Sequence, residues 1–214
     1  MQLGDVDEPG GGTFVEAARR DQIVRAAIET IAEEGYAKAS FVRIARRASI
    51  SPGLITYHFT TKERLIRRIL QDVHARLDRA MEGGDDPLGG FADGLRRIIT
   101  GHIDYCARHP QEMAARREIR SAALSDGLRA EITASDRAGR AELVGFLVEG
   151  QRSEEFRSFD PGVFTDTLFA ALHEAPAVLR DRPSASPGDY ARELADLFCA
   201  AATGRPPAGT SPEA

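Results

Sequence analysis

Apolar residues recur every three to four positions from Glu16 almost to the C-terminus, and no stretch shows the period of two that marks a half-buried strand. Ile23, Ala26, Ala27 and Ile31 define a helix from Glu16 to Glu34, with Gly35 as its C-terminal stop. Phe41, Ile44 and Ala45 give a short helix one apolar face, and Leu54, Ile55 and Phe59 do the same for another. Leu65, Ile66, Ile69, Leu70, Val73 and Leu77 mark a long helix ending near Met81, before the breaker run Gly83-Gly84-Asp85-Asp86-Pro87. Beyond it the pattern predicts helices over 91–108, 110 to about 124, 128–151, 161 to about 180 and 189–203. They are separated by His109-Pro110, Ser125-Asp126-Gly127 and the loop from Arg182 to Pro187. Asp160 is placed to cap the helix that Pro161 opens. The expectation is an all-α chain of about nine helices. Pro9-Gly10-Gly11-Gly12 and the Pro-rich stretch from Gly204 onward predict disordered tails at 1–14 and 204–214.

The stretch from Ser40 to Lys62 has the densest set of local signals. Ser40 can cap the first short helix, and Ser49-Ile50 forms a turn. Ser51 takes a second cap position with Pro52 at the first helical position, where a missing N–H costs nothing. Thr60 and Glu63 offer a capping box for the long helix that follows. The helix between them is only about two turns long, too short to stand without its neighbours. With its apolar residues inward, Ser51, Gly53, Thr56, Tyr57 and His58 remain as a small polar set. Presenting a few hydrogen-bonding groups on such a helix is the logic of a helix-turn-helix reading head.

Over roughly Ile23 to Leu70 these residues resemble the N-terminal DNA-binding domain of TetR-family transcriptional regulators. The apolar spacing, the Pro-Gly pair, the triplet Tyr57-His58-Phe59 and Lys62 fall in the family's register. Two departures stand out. Ser49 occupies a turn position where the family usually has Gly, and Leu54 and Thr56 stand where many members carry Thr and Tyr. The resemblance implies a helix-turn-helix domain over 15–62 and a helical ligand-binding and dimerisation domain over 63–203. It implies that Ser51, Pro52, Gly53, Leu54 and Thr56 face bases or the nearby backbone. Tyr57, His58 and Lys62 would hold phosphates, as would Ser40 and Arg43 at the start of the preceding helix, where the helix dipole also favours an anion. Arg46 and Arg47 read instead as a solvated face.

Charge supports this division. The chain carries 28 Lys and Arg against 33 Asp and Glu, a formal net charge of −5. From Glu16 to Ala80 there are 13 basic and 8 acidic residues, whereas residues 81–214 carry 15 and 22. A basic N-terminal unit on an acidic body suits a protein that turns one end to a polyanion. Two distant cysteines, Cys106 and Cys199, make no disulfide framework, and with no apolar leader or membrane-length segment a cytoplasmic location is expected.

One helix-turn-helix rarely binds tightly alone, so a homodimer is expected on a pseudo-palindromic double-stranded operator, its heads about 34–36 Å apart or a multiple of that. The apolar stripes of the last two helices are its candidate seam: Phe164, Leu168, Ala171, Leu172 and Ala175, with Leu194, Leu197, Phe198 and Ala201. Burial of both stripes within one chain is the alternative. The middle helices would then hold a small organic effector. Its candidate contacts are Phe91, His102, Tyr105, Arg116, Arg120, Phe146, Phe169, His173 and Glu174. His102 and Cys106 lie one turn apart, but two ligands are too few for a metal site, and neither metal nor cofactor is expected. The expected function is a repressor released from its operator by an effector. An activator, or a regulator without an effector, is the alternative. A small enzyme built on His102 or His173 has no nucleophile motif or phosphate loop to support it, and the chain is not expected to be one.

Overall fold

The computed structural model describes residues 11–82, 89–182 and 186–205. These contain nine α-helices and no strand: α1 (Gly11–Glu34), α2 (Phe41–Arg47), α3 (Pro52–Phe59), α4 (Lys62–Glu82), α5 (Phe91–Arg108), α6 (Pro110–Ser121), α7 (Asp126–Arg152), α8 (Pro161–Asp181) and α9 (Pro187–Thr203). Most ends follow local chemistry. Gly35 closes α1 at a φ of +85°, donating its N–H to the Ile31 carbonyl at 2.9 Å. The Ser40 hydroxyl accepts the Arg43 N–H at 3.4 Å at the head of α2, and Ser51 accepts that of Leu54 at 3.2 Å at the head of α3. Asp160 takes the N–H groups of Gly162 and Val163 at 2.8 and 3.1 Å.

Several boundaries differ from the sequence reading. α1 begins at Gly11, so 11–14 are helical; a helix nucleated by its buried middle extends through glycines at about 1 kcal/mol each. The expected tails at 1–10 and 206–214 and the break at 83–87 lie outside the described residues. The head of α4 is capped by Thr61, whose hydroxyl accepts the Arg64 N–H at 3.2 Å, while Thr60 ends α3 at a φ of +41°. α6 stops at Ser121, about a turn early. The runs read as breaks at Ser125 and Ser186 act as N-caps, so α7 and α9 each start two residues early. The head of α5 has Gly90 as its N-cap, with no side chain to offer. Glu155, beyond α7, fills the place: its carboxylate accepts the N–H groups of Phe91 and Ala92, both at 2.7 Å.

The chain divides into two units. The first comprises Met1–Asp72 with Ala114–Ala123, and the second Val73–Met113 with Leu124–Ala214. The boundary therefore falls within α4 and not at Lys62, because Leu65, Ile66 and Ile69 are buried with the small helices of the first unit. That unit's buried residues include Ile23, Ala27 and Ile31 of α1, Ile44 and Ala45 of α2, Ile55 and Phe59 of α3, and Ile119 of α6. In the second unit α5 is the central helix. Its Leu95, Ile99 and Ile103 join Leu143 and Leu147 of α7, Leu168 and Leu172 of α8, and Ala191, Ala195 and Ala202 of α9 in one core. The small residues of α9 let it lie close along α5.

Candidate functional site

The short helix α3 is fixed from below and open from above. Ile55 and Phe59 are buried and Leu54 is half-buried, while Ser51, Pro52, Gly53, Thr56 and Tyr57 are exposed. Tyr57 stands 72% exposed, a large ring that no other described residue covers. The Thr56 hydroxyl donates to the Pro52 carbonyl at 3.2 Å. His58 is half-buried, its ring edge-on to Tyr57 at 5.1 Å, and its enclosed Nδ1 has no hydrogen-bond partner among the described residues. The turn between α2 and α3 passes through Ser49 at a φ of +54°, a left-handed backbone that a residue with a side chain adopts at a cost.

The cations around this helix are not all free to meet a polyanion. Arg43 pairs with Glu34 at the end of α1. Arg47, read from sequence as solvated, is instead held by Glu33 and, at 3.5 Å, by Glu29, and it keeps the Glu33 carboxyl below its ordinary range. Lys62 donates to the Tyr36 carbonyl at 2.5 Å with its ammonium 4.0 Å from the centre of the Tyr36 ring. Burial pushes the Lys62 pKa down. Exposed pairs such as Arg43–Glu34 are worth about 1 kcal/mol or less, so a phosphate can displace the carboxylate. Lys62 is a strut between the α1–α2 turn and the head of α4. Its spacing to Tyr36 gave no sequence signal.

Much of the expected dimer stripe on α8 is buried within the chain itself. Phe164, Leu168, Leu172 and Ala175 lie in the second unit's own core, and Leu194 and Phe198 of α9 are half-buried against it. An apolar stripe serves a monomer core and a seam equally, and here the core takes it. Outward lie Val163 of α8 and Leu197 of α9, 65% and 66% exposed, and Ala201 of the expected seam is exposed as well.

The effector candidates do not gather in one place. Phe91 and Phe146 pack together at 5.4 Å and share a cluster with Phe156. Phe169 sits under the Arg140 guanidinium at 4.7 Å and beside His173 at 6.1 Å, with His173 and Glu174 exposed. His102 is buried. Arg116 and Arg120 lie on the part of α6 that belongs to the first unit. Tyr105 lines a cleft beside α4, whose cationic residues the sequence reading missed. Among the described residues no group of three or more His, Cys, Asp or Glu is placed to hold a metal ion, and no helix is long and apolar enough to cross a membrane.

A two-turn helix seated on a buried Ile and Phe, turned against α2 with its polar face in water, has the arrangement of a helix-turn-helix domain. Residues 23–69 match the family model for bacterial regulatory proteins of the tetR family, and residues 89–202 match that for the tetracyclin repressor-like C-terminal domain. The chain belongs to the TetR family. It is 35% identical over 95 residues to the HTH-type transcriptional regulator BetI of Stenotrophomonas maltophilia, 42% of this chain and 46% of that one. It is 28% identical over 128 residues to the HTH-type transcriptional repressor NicS of Pseudomonas putida, 60% of this chain and 59% of that one. The chain thus spans about half the length of the curated relatives it matches. A TetR-family regulator from a Rhodococcus species superposes with a TM-score of 0.72 at 25% identity, over 85% of this chain and 99% of that one. The fold also matches FadR of Bacillus subtilis in complex with stearoyl-CoA, with a TM-score of 0.68 at 22% identity, over 85% of this chain and 98% of that one.

Proposed function

We propose that this protein is a dimeric transcriptional repressor that reads operator DNA with α3 and leaves it when a small organic effector binds the second unit. The observation that carries the reading is the exposed face of α3. Tyr57, Thr56, Ser51 and Gly53 are held in water by a helix that its own core fixes in place. Phosphate contacts supply affinity and register, and groups at base edges supply specificity. Tyr57, with Ser40 at the head of α2, fits the first role; Ser51, Gly53, Leu54 and Thr56 fit the second, with Pro52 setting the helix start. Arg43 joins by exchanging Glu34 for phosphate, His58 supports Tyr57 from the side, and Lys62 keeps α4 in register through Tyr36. The exposed Val163 and Leu197 are the proposed centre of the dimer face. Continuous through both units, α4 is the element through which an effector in one would reach the other.

A gel shift on DNA flanking the protein's own gene tests the reading. Tyr57→Ala should weaken binding about tenfold or more, the size of one lost charge-assisted phosphate contact, with the dimer and the melting temperature retained. Failure of the wild-type chain to select any duplex at low salt would sink it.

A further inference from the structure

In the second unit, between α4 and α5, lies a cleft of about 340 Å³, within the size range of small-molecule sites. Three guanidinium groups line it, Arg76, Arg79 and Arg108, together with Tyr105 and His109 and a single carboxylate, Asp104. Asp104 is taken by Arg108 at 2.9 Å. Glu112, outside the lining, holds Arg76 at 3.2 Å and accepts the Tyr105 hydroxyl proton, which fixes both side chains in place. Arg79 donates to the Ala75 carbonyl of its own helix at 3.1 Å and has no carboxylate partner among the described residues. The Tyr105 and His109 rings lie 4.4 Å apart at 33° and add a flat apolar wall. Lining charge therefore exceeds its local neutralisation, in a unit whose sequence is acidic.

We propose that this cleft binds a small organic anion, through a carboxylate or phosphate group held by Arg79 and Arg108, with Arg76 and Tyr105 as pre-set partners. A planar guanidinium matches either group with two parallel hydrogen bonds, and the ring pair accepts the organic part. The inference rests on the reading of an effector-responsive regulator and names the chemical class of the effector. Gly101 and Ala80, whose backbones meet where α5 crosses α4, also line the cleft, so an occupant touches the crossing itself.

Calorimetric titration of the full chain without DNA tests it, using phenyl phosphate, benzoate, inorganic phosphate and neutral benzamide as probes. At least one organic anion should bind with a Kd below about 1 mM, and benzamide should not. Phenyl phosphate against benzoate separates the two anionic groups. Arg79→Glu and Arg108→Glu, both at exposed positions, should each weaken binding by about tenfold or more. Benzamide binding as well as the anions, no anion binding at all, or unchanged binding in both variants would overturn the proposal. A gel shift on the same preparation keeps the two readings apart. Operator binding without anion binding removes the cleft alone; anion binding without operator binding removes the regulator reading and leaves an anion site.

Discussion

Ser49 holds a backbone φ of +54° in the turn that sets α3 against α2. For an L residue with a side chain this region costs about 1–2 kcal/mol, and a glycine avoids it. Glycine also has more freedom to lose on folding, about 0.5–1 kcal/mol. The first effect wins, so Ser49→Gly should stabilise the protein by up to about 1 kcal/mol, read as a higher melting temperature without loss of helix. A lower melting temperature would mean that the Ser49 side chain contributes something the backbone angle does not show. Tyr105 makes the other residue-scale prediction. Burial first, and then its hydrogen bond to the Glu112 carboxylate, raise its pKa from 10.0 to about 12. Below pH 10 the phenol is protonated in folded and unfolded chains alike, and its contribution to stability is constant. Between about pH 10 and 12 only the unfolded chain ionises it, so stability falls as pH rises through that window. In a phenolate absorbance titration of the four tyrosines, Tyr105→Phe should remove the last group to ionise. Four phenols titrating together near pH 10 would refute this.

At the scale of elements, the tightest constraint is the crossing of α4 and α5. A Cβ on Gly101 would stand 2.0 Å from the Ala80 carbonyl oxygen and 3.1 Å from the Met81 Cα, and backbone cannot step aside as a side chain can. Gly101→Ala should therefore cost about 1–3 kcal/mol, the usual range for overpacking. Gly145→Ala in α7 is the matched control: nothing lies within 4 Å of its Cβ, and helix propensity favours Ala by up to about 1 kcal/mol. Opposite signs in thermal melts are the expected result, and equal ones would mean the crossing yields. These cases also mark what the sequence made legible. Ser40, Ser51, Gly35 and Asp160 act on N–H or carbonyl groups within four residues, so their roles followed from local order. The cap of α5 was hidden because Glu155 is 64 residues from Phe91. Thr60 and Thr61 are equivalent by type, and only the geometry shows which one caps α4. The polar face of α3 was legible for the same reason as the caps, since a two-turn helix leaves few ways to bury Ile55 and Phe59. Lys62 on Tyr36, Arg47 on Glu33 and the arginines beside Tyr105 were not, because each depends on how separate helices meet.

For the whole molecule, the proposed function requires a surface that brings two reading heads onto one duplex. The stripe of Phe164, Leu168 and Leu172 is occupied by the chain's own core, so any seam must use what that core leaves out. The rings of Phe164 and Phe198 meet at 5.4 Å, joining α8 to α9, and beside each in sequence stands an apolar residue in water, Val163 and Leu197. Leaving two large aliphatic side chains two-thirds exposed forgoes about 1–2 kcal/mol each, which a partner surface would recover. Leu197→Glu should convert the protein to a monomer by analytical ultracentrifugation while its melting curve in dilute solution changes little, because the site lies outside the core. The loss on DNA should be larger than the loss of one contact suggests. Joining two heads multiplies affinity by about 10²–10⁴, so operator binding should fall by at least about a hundredfold although α3 is untouched. Tyr57→Ala makes the opposite pattern, a dimer that binds poorly. A Leu197→Glu protein that stays dimeric would move the seam to another face, and one that is monomeric yet binds the operator at full strength would end the two-head account.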